Sequence, residues 1–221
     1  MCELAPPHFT RAVACGPYDG AMRPLLHLLK YDGLEPVAGQ ISALLAARLS
    51  AESDLPAQMS VVPVPLHRAR RRERGFNQAE LLARGVVRAM RGLRPEWKGA
   101  LNARALRRVR ATQSLAGLSL SERRRVLRGA FFVAEPEAIA GRDVLLVDDI
   151  FTTGATVRAC AFALKRAGAA TVWVATAARA QKAEATARFE MPQEEAAQEE
   201  FREPTADEMR QDAVVWRGTV H

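Results

Sequence analysis

Two adjacent carboxylates, Asp148 and Asp149, stand at the end of the apolar run Val144-Leu145-Leu146-Val147. Three residues further on comes the string Thr152-Thr153-Gly154-Ala155-Thr156. Carboxylates accept hydrogen bonds from sugar hydroxyls and hold hard metal ions. The loop after them has what an anion requires. A glycine lets the backbone approach closely, three threonines add hydroxyl donors, and a helix opening there would offer unpaired N–H groups and a positive dipole end. A ribose 5-phosphate would satisfy both ends of such a site. Two competing phosphate motifs fail: no lysine stands near this loop, as the Walker pattern demands, and no G-x-G-x-x-G occurs. An isolated pair of acids would be read as a strand end and a turn cap. The order apolar run, acids, loop and helix points to a ligand site.

The elements that must position these residues follow from periodicity. Val144–Val147 reads as a strand buried on both faces. Residues 155–167 have helical character ended by Gly168, and Thr171–Thr176 is a second strand. Strand, helix and strand at this spacing form a βαβ unit, so the expected fold class is α/β with a mostly parallel sheet flanked by helices. Ligands then bind beyond the carboxyl ends of the strands. Upstream, Met22, Leu25, Leu26 and Leu29 mark one helix, and residues 37–49 a second with Ile41, Leu44 and Leu45 inward. Val61, Val62 and Val64 mark a strand that Pro63 and Pro65 place at an edge or near its end. A basic loop is expected from His67 to Gly75, then a helix capped by Asn77 through Leu81, Leu82, Val86 and Met90. Residues 91–128 read as an arginine-rich, weakly periodic excursion, and Phe131–Val133 as a short strand.

The chain has 221 residues and a formal charge of +7, with 32 basic side chains of which only Lys30, Lys98, Lys165 and Lys182 are lysines. That charge is unevenly spread. Residues 60–130 carry 18 basic and 4 acidic side chains, whereas residues 183–221 carry 4 and 10. The arginines cluster at Arg68, Arg70, Arg71, Arg72 and Arg74, at Arg104, Arg107, Arg108 and Arg110, and at Arg123, Arg124, Arg125 and Arg128. Guanidinium forks grip phosphates, so this half suits a polyphosphate or a nucleic-acid backbone. Arg70, Arg71, Arg72, Arg74, Arg107 and Arg108 are the candidate nucleic-acid contacts. Aromatic interleaving is sparse, with only Phe76 and Trp97, and gives little support to base stacking. No run approaches a membrane span, so no membrane insertion is expected. No secretory leader is evident, and Cys2, Cys15 and Cys160 are too few and too scattered for a disulfide framework. A cytoplasmic protein is expected. His27 and His67 read as surface or loop residues, and Cys160 and Trp173 as core.

The string VLLVDDIFTTGATV resembles the phosphoribosyl pyrophosphate (PRPP) binding signature of type I phosphoribosyltransferases. VPVPLHRARRRERGFNQAELLA is similar to the ComF family of competence-associated, phosphoribosyltransferase-like proteins. So are ARALRRVRATQSLAGLSLSERR followed by RGAF, and YDGAMRPLLHLLKYDG. The resemblance covers residues 5–180. It implies a type I phosphoribosyltransferase-like fold with an N-terminal helical hood over residues 1–55 and a core over 56–180. The Glu-, Ala- and Gln-rich remainder over 181–221 does not look like the family and reads from its composition as a solvated helix or a poorly ordered acidic tail. It also implies that Mg–PRPP is bound and its ribosyl phosphate transferred with release of pyrophosphate. Asp148 and Asp149 would take the ribose hydroxyls, with Mg²⁺ bridging to the pyrophosphate. Thr152, Thr153, Gly154, Ala155 and Thr156 would cradle the 5-phosphate, and Arg68 would face the pyrophosphate. A closing loop over 107–118 would contribute Arg110, Thr112 and Gln113. Competence membership implies an alternative: nucleotide sensing or handling of single-stranded DNA with little or no turnover. Family members commonly begin with a zinc-binding cysteine segment. Here only Cys2 remains and Ala5 replaces its partner, so no zinc is expected. Val126 stands where the family pattern has asparagine.

Overall fold

The computed structural model describes residues 7–31, 35–109, 127 and 129–180. Five strands form one parallel sheet: β1 (Arg11–Pro17), β2 (Gln58–Pro63), β3 (Lys98–Leu101), β6 (Asp143–Phe151) and β7 (Thr171–Arg179). Their spatial order is β1-β7-β6-β2-β3, and every pairing is parallel. The short strands β4 (Leu106–Arg108) and β5 (Phe131–Val133) pair antiparallel in a separate ribbon. Helices α1 (Met22–Tyr31), α2 (Glu35–Ser50), α3 (Arg68–Arg74), α4 (Gln78–Leu93) and α5 (Ala155–Arg166) complete the described elements, with one short 3₁₀ turn at Pro136–Ala138.

The apolar run of β6 alternates between two cores. Leu145 and Val147 join one core with Val61, Trp173, Ile41, Leu45, Leu82 and Val86, so α2 and α4 cover that face. Val144 and Leu146 join the other with Val62, Val174, Val157, Cys160 and Leu164, beneath α5. The chain leaving β2 therefore crosses to one face and the chain leaving β6 to the other. Strands β2 and β6 are neighbours, from Ser60 opposite Val144 to Pro63 opposite Val147. A crevice opens where neighbouring connections diverge in this way, and α/β sheets bind ligands there.

Several expectations are corrected. Residues 1–55 are not helical throughout. Arg11–Pro17 is an edge strand of the main sheet, paired with β7 from Arg11 opposite Trp173 to Pro17 opposite Arg179. Its sequence, RAVACGP, contains a single β-branched residue, and backbone pairing with β7 supplies what propensity does not. Residues 68–74 form a helix rather than a loop. The His67 side chain accepts a hydrogen bond from the Ala69 N–H, and Gly75, at φ 77°, closes the helix as its N–H bonds Arg71 O. Strand β2 is interior, so its prolines mark its end and not an edge. Leu44 is 55% exposed. The buried stripe of α2 runs through Ala38, Ile41, Ser42, Leu45, Ala46 and Leu49, and Leu44 lies well off that stripe. Strands β3 and β4 interrupt the expected excursion. The expected tail, with Arg110, Thr112, Gln113 and Val126, lies outside the described residues.

Candidate functional site

Strand β6 runs on past its apolar core, so Asp148 and Asp149 are strand residues at its carboxyl end, each only 8% exposed. The alternation that sorts Val144 to Val147 between the two cores also separates the acids. Asp149 lies on the side of α1 and α4. Its Oδ2 faces Lys30 Nζ of α1 at 3.2 Å and accepts a hydrogen bond from Gln78 Nε2 of α4 at 3.4 Å. Its Oδ1 accepts from the Ile150 N–H at 2.8 Å. Asp148 lies on the side of α5, within electrostatic reach of Cys160 and Arg108. Its Oδ1 accepts from the Asp149 N–H at 2.9 Å.

The two neighbours consequently hold opposite charge preferences. Burial and the charge of Asp149 push the Asp148 carboxyl well above the usual carboxylate range. Burial pushes Asp149 upward too, but the Lys30 ammonium, together with hydrogen bonds to Asp148 and the Ile150 N–H, holds Asp149 below its ordinary value. Lys30 answers in kind. Burial opposes its charge, yet Asp149 lifts its pKa above that of an ordinary lysine.

Local folding explains how Gln78 arrives. The β2–β6 ladder extends one bond beyond the strand, from the Val64 N–H to Val147 O at 2.8 Å. Buried Asn77 then donates from Nδ2 to Val64 O at 3.1 Å, while its Oδ1 caps α4 at the Ala79 N–H, also 3.1 Å. One asparagine thus locks the first turn of α4 to the carboxyl end of β2, and the next residue reaches Asp149. The N-cap role of Asn77 is legible in the sequence; Gln78 as a partner of Asp149 is not. Lys30 carried no signal beyond closing an amphipathic helix.

Beyond the acids, the loop turns into α5 at Gly154, which has φ 72° and is the N-cap. A Cβ there would lie 2.7 Å from the Phe151 ring in a backbone region that other residues avoid. The glycine is required both by conformation and by space. Thr152, Thr153 and Thr156 are partly exposed, and Gly154 and Ala155 are buried. No side chain caps this helix start, so its N–H groups face the loop region with no side-chain partner at the cap.

The arginines divide in the structure. Arg68, Arg70, Arg71 and Arg72 are exposed on α3, which buries none of its residues. Arg71 pairs with Glu80 at 3.3 Å, and Arg74 donates to Gln78 Oε1 at 3.4 Å. Arg107 is exposed and Arg108 half-buried on β4. Arg108 is depressed by burial, and both Arg70 and Asp148 act on it electrostatically. Arg70 and Arg108, 38 positions apart, thus lie within electrostatic reach of one another, and Arg108 within reach of Asp148. Trp97 is buried, 3% exposed, which removes it from any stacking surface. Among the described residues no group of three or more His, Cys, Asp or Glu side chains is placed to hold a metal ion, and no helix is long and apolar enough to cross a membrane.

A phosphoribosyl transferase domain is matched over residues 102–201. The chain is 36% identical over 178 residues to the DNA utilization protein YhgH of Escherichia coli (strain K12), covering 78% of this chain and 74% of that one. The chain belongs to the ComF family of phosphoribosyltransferase-like proteins. Competence protein F of Haemophilus influenzae is 28% identical over 184 residues, 81% of this ComF-family chain and 77% of the relative. Among solved structures, the allosteric regulatory enzyme of purine biosynthesis matches 63% of this chain and 26% of its own length, at 23% identity and a TM-score of 0.40.

Proposed function

We propose that this protein binds Mg–PRPP at the carboxyl end of β6 and transfers its ribosyl phosphate to an acceptor, releasing pyrophosphate. One observation carries the reading: a buried carboxylate pair at the point where the connections of β2 and β6 diverge leads, within six residues, to a glycine-capped helix start. Asp148 and Asp149 receive the ribose hydroxyls, and the Thr152–Thr156 loop cradles the 5-phosphate. Arg68, opening α3, faces the pyrophosphate.

The donor set suits magnesium. It consists of carboxylate oxygens with no histidine or thiolate, and two carboxylates suffice for an ion that keeps waters and takes phosphate oxygens as its other ligands. When bound, magnesium neutralises charge on the departing pyrophosphate. In the reaction the bond from ribose C1 to the pyrophosphate oxygen breaks and a bond from C1 to the acceptor forms. Positive charge then grows on the sugar ring, beside carboxylates already fixed in place. Titration calorimetry should show Mg-dependent PRPP binding that Asp149→Ala abolishes; unaltered binding in that variant would remove the assignment. A screen of PRPP with candidate bases and amines, read as pyrophosphate release, tests turnover.

A second reading is that the chain handles single-stranded DNA during DNA uptake, with little or no transferase turnover. The exposed arginines of α3 with Arg107, and the DNA-utilization and competence names of the relatives, favour it. Filter binding of single-stranded DNA across a salt series decides it, and absence of binding at low salt would sink it.

A further inference from the structure

Both oxygens of Asp149 are engaged, and one partner is a cation. The Lys30 ammonium lies 3.2 Å from Oδ2, and its side chain is 25% exposed against 11% for Asp149. Its position is fixed by packing, because Leu26 and Leu29 on the same helix are fully buried in the core shared by α2 and α4. Gln78 supplies a neutral donor to the same oxygen from α4. The surroundings add positive charge: Arg108 acts electrostatically on Asp148, and Arg70 lies within reach of Arg108.

A bare divalent cation approaching the two carboxylates thus meets a lysine already seated on one of them. A magnesium ion carried on a pyrophosphate arrives within a complex of net negative charge, which the same lysine and arginines attract. We infer that Lys30 is a resident counter-ion that keeps free divalent cations off the Asp148–Asp149 pair and admits metal only as its PRPP complex. The inference rests on the reading of this pair as the Mg–PRPP site. It assigns the order of arrival at that site to one side chain.

The probe is Mn²⁺ alone, followed by the loss of its free-ion electron paramagnetic resonance signal on titration with protein. The variants are Lys30→Gln, which keeps a hydrogen-bond donor and loses the charge, and Lys30→Met, which loses both. Gln78→Ala and Lys30→Arg serve as controls that keep the charge. The expected result is Mn²⁺ binding at least tenfold tighter in Lys30→Gln than in the unaltered protein, with Lys30→Arg and Gln78→Ala unchanged. Lys30→Met repeats the measurement should Lys30→Gln melt early. Equal Mn²⁺ binding with and without the lysine charge overturns the inference, as does tight Mn²⁺ binding by the unaltered protein. A parallel titration of unaltered protein with Mg–PRPP separates the two claims. Binding there leaves the site reading standing whatever Lys30 does, and no binding overturns both.

Discussion

The carboxyl ends of β2 and β6 are neighbours in the sheet and opposites in chemistry. β6 carries two buried acids near its end, and one of them, Asp149, is met by partners from other elements, Lys30 from α1 and Gln78 from α4. β2 ends at Pro63, and its chain continues through Val64 and Pro65 into a helix of exposed arginines that buries none of its residues. The difference is one of solvation. A buried charge must be answered by protein, so its properties belong to its neighbours; an exposed charge is answered by water and keeps its own. The anionic end is therefore specific and vulnerable, while the cationic end is adjustable.

That contrast is breakable by substitution. The largest effect is expected from Asp149→Ala, which leaves the Lys30 ammonium without its carboxylate. It should cost about 2 kcal/mol in a urea melt, below the range for a fully buried pair because Lys30 is partly exposed. Gly154→Ala comes next, at about 1–2 kcal/mol, since it forces a Cβ against the Phe151 ring at positive φ. It should weaken Mg–PRPP binding more than it lowers stability, and equal losses would mean that the loop is only a turn.

The acids themselves should then respond with opposite signs. Asp148 has a folded-state pKa above its unfolded value, so its contribution to stability is present at low pH and lost as pH rises through the folded value. Asp149 has a depressed folded value, so its contribution is present at neutral pH and lost as pH falls through that value. Asp148→Asn should stabilise the ligand-free protein at pH 7 by about 1 kcal/mol, a rise of about 2–4 °C in Tm. Asp149→Asn should lower it. Shifts of the same sign would show that Lys30 does not separate the pair. Smallest of all, changing Arg70, Arg71 and Arg72 together to Gln should move stability by no more than about 0.5 kcal/mol. If α3 binds single-stranded DNA, the same change should flatten the salt dependence of binding by up to about two units of log–log slope.

Much of this was legible before any coordinates. β6, α5 and β7 follow from one apolar run, one helical stretch ended by glycine and a second apolar strand, because each element's local pattern agrees with its tertiary role. The acid pair and the threonine–glycine loop were legible for the same reason. β1 was not, because a small-residue edge strand is held by the ladder of β7 and carries little signal of its own. Helix α3 was missed because its ends are set by a histidine cap and a positive-φ glycine, while its arginines show no apolar period. Trp97 is buried in the core, in keeping with the weak support that the sparse aromatics lend to base stacking.

The residue types of this chain determined the parallel α/β core, the place of the carboxylates after their strand, and the imbalance of charge along the chain. These rest on periodicity and composition, which act over a few residues. Only the tertiary structure decided that Asp149 is answered by Lys30, 119 positions away, and that Asp148 faces the other side of the sheet. The reason is physical: strand alternation chooses a face, the packing of α1 and α4 chooses what waits there, and the state of a buried charge is settled by that company.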